Sequence, residues 1–312
     1  MIAPSHRAAH ADLVDAIAAV ADITAAVARD GAANDGLAAH LERSLYAFYC
    51  RDGATPYARR RDACDPTLVD ALSAANCGRG TRDPGWRLLR TSRDGRHVVE
   101  KYGVALWARS DQLAPGPDGH VALTTGKELR ALVPGFYMAL GDAADPSGEG
   151  LPSLVRYYWN LAAAADAVRL VELLTAALNR SGLAFRLKVP NHPDGYGRAD
   201  AAVLYLPRDL EPAARGVLGD VYAAVGGQLG ADVPRFALAL RPGLAVAEDP
   251  QTGESFGQHR CRAIADGLLA AARAGDTAVA AQLRSIEVAF ERAGIDPLRP
   301  YRAKGSTCTY AL

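Results

Sequence analysis

The chain has no excess of either charge: 35 Lys and Arg match 35 Asp and Glu over 312 residues. No global field therefore draws it to nucleic acid or to an anionic membrane. It also lacks an apolar run of membrane-spanning length, because its alanine-rich stretches are broken by Asp, Arg or Gly. Cysteine is sparse and odd in number. Cys50, Cys64, Cys77, Cys261 and Cys308 are scattered with no CxxC pair, which points to neither a disulfide framework nor a structural zinc site. The opening Met-Ile-Ala-Pro-Ser-His-Arg has no basic region leading into an apolar core, so a secretory signal is not indicated and a reducing cytoplasm is the expected location. There is no GxxxxGK[ST], no GxGxxG between strand and helix and no HExxH. These absences argue against a nucleotide-using enzyme and a zinc protease, and no metal cluster spacing is found.

What is present is an α+β pattern. Leu13, Ile17, Val20, Ile23 and Val27 fall at helical spacing, and a second helical segment covers 36–48. An Arg-rich loop with Arg59, Arg60 and Arg61 follows, then a short helix over 66–75. Between Trp86 and Trp107 the period changes to that of short strands, with Asp94-Gly95 as the hairpin turn. Phe136–Leu140 reads as a strand. The second half predicts helices over about 163–181, 210–229, 255–274 and 277–294, with strands at 185–191 and 201–206 and an extended segment at 243–249. This describes an antiparallel or mixed sheet packed with several helices. It divides into a helical region with a β-hairpin over 1–145 and an α+β region over 146–312, within one compact unit.

Four stretches carry candidate chemistry. Phe185-Arg186-Leu187-Lys188-Val189-Pro190-Asn191 alternates apolar and cationic residues, so a strand sends Arg186 and Lys188 out of one face. Like charges side by side repel unless an anion sits between them, and a neighbouring cation disfavours the ammonium form of a lysine. That pair suits proton abstraction from a phosphorylated substrate; the competing reading is a solvated strand face. Arg156-Tyr157-Tyr158-Trp159-Asn160 offers a guanidinium for phosphate, a hydroxyl donor and an apolar shelf, or else a core helix start with one snorkelling Arg. Gly253-Glu254-Ser255-Phe256-Gly257-Gln258-His259-Arg260 places His259 and Arg260 just inside a helix that Ser255 caps. Anions favour that end, and an imidazolium there can protonate a departing oxygen; a structural histidine is the alternative. The polar loop 191–198, with His192, Tyr196 and Arg198, joins two strands and is either functional or a solvated connection.

The block Pro134–Asp142 resembles the HopA family of type III effectors. So do Arg156–Asn160, Phe185–Asn191, Arg198–Pro207 and Ala247–Pro250 with Gly253–Arg262, in the family's order. The hairpin from Trp86 to Trp107 resembles the family's upstream β region more weakly. The resemblance implies two kinds of member. Some are effectors delivered into host cells. Others act beside a kinase-like partner protein in lanthipeptide or thioamide-peptide biosynthesis, where the partner phosphorylates Ser or Thr of a precursor peptide. The HopA-like protein then eliminates phosphate to leave dehydroalanine or dehydrobutyrine, with no cofactor. The compact chain resembles the biosynthetic branch.

On that footing Lys188 is the expected base and His259 the expected acid, by analogy with the Lys/His pair of phosphothreonine lyases, with a tyrosine as the alternative acid. Arg186, Arg198, Arg156 and Arg260 form the pool for a phosphate clamp. Tyr158, Asn191 and Gln258 are expected to orient the substrate carbonyl. A non-catalytic module that binds a leader peptide or a host protein is the competing expectation, and a hydrolytic phosphatase is a third.

Overall fold

The computed structural model describes residues 4–30, 35–50, 64–101, 103–130, 134–143 and 153–312. The Arg59–Arg61 run and the division considered at 146–152 lie outside the described residues.

The helical periodicity before residue 50 is realised as α1 (Pro4–Ala19), α2 (Ala21–Asp30) and α3 (Asp35–Cys50). The apolar stripe continues across α1 and α2, but the helix itself breaks at Val20. In α4 (Pro66–Ala75) Asp65 accepts hydrogen bonds from the backbone N–H of Thr67 and Leu68, and Pro66 occupies the first helical position, where a missing N–H does no harm.

The hairpin stretch becomes β1 (Arg82–Thr91), β2 (His97–Lys101) and β3 (Val104–Ala108), joined by β4 (Leu113–Pro115) and β5 (Val121–Thr124). These five strands form one sheet in the order β3-β2-β1-β5-β4 around a small core of Trp86, Val99, Ala108 and Leu123.

The main sheet has seven strands, all antiparallel. It comprises β6 (Glu128–Leu129), β7 (Phe136–Leu140), β8 (Leu154–Trp159), β9 (Arg186–Pro190), β10 (Ala202–Pro207), β11 (Leu238–Arg241) and β12 (Leu244–Glu248), in the order β11-β12-β8-β10-β9-β7-β6. The remaining helices are α5 (Ala164–Arg180), α6 (Glu211–Val225), α7 (Phe256–Arg273) and α8 (Val279–Arg292). The α+β expectation holds, and the sheet is antiparallel. Because β7 pairs with β9, the spans 1–145 and 146–312 share this sheet and one large core.

The Arg156–Asn160 stretch is not a helix start. It is β8, a central strand buried on both faces, and such strands read as continuous apolar runs without alternation. Tyr157 and Trp159 face α6, where Tyr157 donates to Glu211 at 2.6 Å and Trp159 packs on Tyr222. Tyr158 points the other way, onto Phe256 of α7, which also meets Tyr49 of α3. The sheet is thus layered between α6, with α5 beside it, and α7, with α3 and α8 beside it.

Candidate active-site face

Residues paired directly across an antiparallel ladder point to the same side of the sheet. One register row runs Met138, Lys188, Val203, Tyr158, Ala245; the next runs Leu140, Arg186, Tyr205, Arg156, Ala247. Arg186, Lys188, Arg156 and Tyr158 therefore share one face, the face that α7 covers at its Tyr158 end.

Lys188 is half-buried, with its ammonium 4.4 Å from the centroid of the Phe136 ring. Arg186 is exposed, and its guanidinium carbon is 5.8 Å from the Tyr205 centroid; that of Arg156 lies 5.2 Å from the same ring. Neither the Arg186 nor the Lys188 side chain has a hydrogen bond or a carboxylate partner among the described residues. Both cations instead rest on aromatic rings, whose negative faces attract positive charge without neutralising it.

The other three arginines of the pool have internal partners. Arg156 donates to Asp249 through Nε at 2.7 Å and to the Glu254 carbonyl at 3.1 Å. Burial opposes its charge, but Tyr158, Tyr205 and Asp249 together outweigh burial and hold the guanidinium firmly protonated. Arg198 forms a bidentate pair with Asp200 at 2.5 and 3.0 Å and also reaches the Cys50 sulfur at 2.8 Å, so it faces the end of α3. Arg260 is buried beneath the C-terminal residues, donating to the carbonyls of Pro300 at 2.9 Å and Arg302 at 3.3 Å, with its guanidinium 4.2 Å above Phe256. Burial, with Arg156 adding to it, pushes Arg260 down to about 10.

His259 is buried in the first turns of α7, capped by Ser255 as expected. Arg260 Nη1 lies 2.9 Å from His259 Nδ1. A guanidinium only donates, so Nδ1 is an acceptor and the proton of the neutral ring sits on Nε2. Burial first, then Arg260 and Arg262, lower the imidazole to about 4, with Asp249 opposing them. The ring is therefore uncharged at neutral pH and is not the imidazolium that its position at a helix start had led us to expect.

Gln258 is exposed and closes the capping box by accepting from the Ser255 N–H at 3.0 Å. Asn191 lies just beyond β9, buried, with its backbone bonded to Gly135 and Asp65 and its Oδ1 without a partner. The Tyr158 hydroxyl is fully buried with no hydrogen bond of good geometry, although Tyr49 is close enough to act on it. Burial raises the phenol, against the opposing influence of Arg156 and Tyr49.

Of the nine residues singled out in the sequence, four share the sheet face, and His259 and Arg260 lie on the helix above it. Arg198 is paired with Asp200 at the end of α3, Gln258 is engaged in capping, and Asn191 lies beyond the strand end. No contact joins Lys188 to His259. Lys188 is two strands from Tyr158, about 10 Å at ordinary strand spacing. A groove of about 840 Å3 between α7 and α8 is lined by His259, Arg262, Asp266 and Arg284 among others, but not by Lys188.

Sequence reasoning did not single out Tyr205 and Phe136 as the aromatic floor, nor Asp249 as the anchor of Arg156. Tyr205 was reachable: it sits between inward residues of a strand next to β9, where register alone aligns it with Arg186. Among the described residues no group of three His, Cys, Asp or Glu is placed to hold a metal ion, and no helix is long and apolar enough to cross a membrane.

The architecture is that of an α+β protein whose antiparallel sheet exposes a cationic, aromatic-floored face beside a capped helix. The model of the HopA1 effector protein family matches residues 128–302, more than half of the chain and all of the main sheet, and the chain belongs to that family. An effector protein from Pseudomonas syringae pv. syringae strain 61 has a similar structure, with 15% identity, a TM-score of 0.51, and 97% of this chain and 99% of that one covered. The effector protein from Pseudomonas syringae pv. tomato strain DC3000 gives 17% identity and a TM-score of 0.48 over 93% of this chain and 99% of that one. The first likeness establishes a shared fold. No curated protein matches the chain.

Proposed function

We propose that this member of the family removes phosphate from a phosphoserine or phosphothreonine side chain by β-elimination. The substrate is a peptide phosphorylated beforehand by a kinase-like partner in the cytoplasm, and the product carries dehydroalanine or dehydrobutyrine. The observation that carries this reading is the Arg186–Lys188 pair: two cations on one strand face, resting on rings, with no carboxylate between them among the described residues. A phosphate monoester supplies the missing anion.

In the reaction, Arg186 binds the phosphoryl oxygens, for which a guanidinium is suited. Lys188 Nζ takes the Cα proton, the electrons of that C–H bond form the Cα=Cβ double bond, and the Cβ–O bond breaks with its pair going to phosphate. The fixed charge of Arg156, held in place by Asp249, favours negative charge developing on the substrate carbonyl. The departing oxygen must gain a proton. The Nε2–H of neutral His259 and the un-ionised Tyr158 hydroxyl each carry one on this side of the sheet. No metal or organic cofactor is needed for these steps.

A second reading, a binding subunit without catalysis, draws on the internal pairing of Arg156, Arg198 and Arg260, which removes three guanidiniums from a phosphate clamp. Mass spectrometry of a synthetic phosphothreonine peptide incubated with the protein separates the two. Elimination yields a peptide one water lighter than its unphosphorylated form, and hydrolysis restores the free hydroxyl. Lys188→Ala is expected to lower the elimination rate by at least about 100-fold, within the range for removing a general base, while circular dichroism stays unchanged. Full activity in that variant rules out Lys188 as the base, and phosphate-independent binding without turnover in the wild type rules out the lyase.

A further inference from the structure

Four of the seven large apolar side chains that are exposed among the described residues sit on one hairpin: Leu88 (42%), Leu89 (44%), Leu106 (40%) and Trp107 (52%). Leu106 and Trp107 belong to β3, an edge of the five-stranded sheet. Natural edge strands are blunted by charge, proline or brevity. The opposite edge, β4, has three residues and ends in Pro115, and in the main sheet the edge strand β6 has two residues while β11 ends in Arg241. β3 reads Val-Ala-Leu-Trp-Ala, with no charge and no proline. Its outer backbone groups are unpaired among the described residues.

The two sides of this edge differ chemically. On one side, the register row Leu88, Val99, Leu106 presents aliphatic surface. On the other, the row Arg90, Val98, Trp107 presents an indole carrying two guanidiniums, Arg90 at 5.2 Å and Arg96 at 4.9 Å from the ring centroid. A β-bulge between Leu88 and Arg90 puts these neighbouring residues on opposite faces. From Arg82 to Ala108 there are six Lys and Arg against three Asp and Glu. Arg82, Arg90 and Arg93 have no carboxylate partner among the described residues.

We infer that β3 is a docking edge for an extended acidic peptide strand in which carboxylates alternate with aliphatic side chains. Main-chain hydrogen bonds along β3 supply affinity, and the two faces read the alternation. Successive residues of an added strand point to opposite faces, so every second one meets Trp107 with its arginines and the others meet Leu106. Charge complementarity favours this occupant over a second copy of the chain, which would bring two net-positive edges together. It is also favoured over a lipid surface, because hydrocarbon leaves an open strand edge unsatisfied. The site is remote from Lys188 in sequence and belongs to the other sheet, so the inference does not depend on the lyase reading.

The probe is a blocked, fluorescein-labelled peptide of alternating aspartate and valine, followed by anisotropy against the full chain at low salt. Binding with a millimolar or tighter Kd is expected. Arg90→Glu with Arg96→Glu should weaken it by at least about tenfold, Trp107→Ala should weaken it as well, and the circular dichroism of both variants should match the wild type. A peptide N-methylated at alternate amides should bind more weakly than its parent. Equal binding of the methylated peptide, no binding at millimolar concentration, self-association in sedimentation velocity abolished by Leu106→Lys, or capture by phosphatidylserine vesicles in place of the peptide would each overturn the proposal.

Discussion

His259 shows how a residue's surroundings can change the role its type implies. Near a helix N-terminus, buried, and receiving a hydrogen bond from Arg260, the imidazole is held to about 4 against its ordinary 6.5. The folded ring resists protonation while the unfolded one accepts it. This contribution to stability is complete above about pH 6.5 and is lost as pH falls toward 4, amounting to about 3 kcal/mol at the acid end. Carboxylate titration acts over part of the same range, so the diagnostic is a comparison. In urea unfolding, His259→Gln should lose less stability than the wild type between about pH 7 and pH 4.5. An equal loss in both proteins would mean that this ring does not couple to folding. The sequence made the Arg186–Lys188 alternation legible because period two is a local property. It could not disclose that Asp249, 93 residues from Arg156, holds that guanidinium, or that the Pro300 carbonyl, 40 residues from Arg260, anchors that one. These pairings exist only once the sheet and the C-terminal residues have assembled.

Elements were legible where their boundaries carry chemistry and obscure where burial is symmetrical. The ends of α4 and α7 follow from Asp65-Pro66 and from Ser255 with Gln258 three residues on. β8 hid because both its faces are buried, and β11 because four residues ending in Arg241 offer little pattern. The pairing of α7 with α8 was likewise invisible, yet one glycine defines it. A Cβ on Gly267 would stand 2.5 Å from Ile286 Cα and 2.7 Å from its N, so two backbones meet here and neither can yield as a side chain can. Gly267→Ala should therefore destabilise the protein by about 1–3 kcal/mol despite the better helix propensity of alanine. Gly216, inside α6, has nothing within 4 Å of the same position. There Gly216→Ala should stabilise by about 0.4–1 kcal/mol. Thermal unfolding of the two variants should give shifts of opposite sign, and shifts of the same sign would show that propensity and not interhelical contact governs both sites.

At the scale of the whole molecule the two sheets differ in how well they are held. Residues from α1 to Tyr310 contribute to one continuous core around the seven-stranded sheet, whereas the five-stranded sheet closes over Trp86, Val99, Ala108 and Leu123, with only Leu113 and Val121 packed against them among the described residues. The first strand of the small sheet is fastened to the body chiefly through polar contacts: Thr81 donates to the Gly141 carbonyl at 2.6 Å, and the Arg79 and Gly80 N–H groups donate to Asp142. A division of the chain by position, at 145 and 146, therefore cuts across the main sheet, while the real change in packing follows sheet membership. Local opening free energies track buried apolar contact. Amides of β1, β2 and β3 should exchange through a sub-global opening well below the free energy that governs β8, β9 and β10. Native-state hydrogen exchange read by mass spectrometry in rising urea tests this, and Val99→Ala should lower protection across β1 to β5 while leaving β8 to β10 unchanged. Convergence of both sheets on one exchange free energy would mean that the small core is fully coupled to the large one. If the difference is found, the hairpin edge can adjust to a strand laid against β3 without disturbing the cationic face, because the elements that hold Arg186 and Lys188 in register lie wholly within the more stable unit.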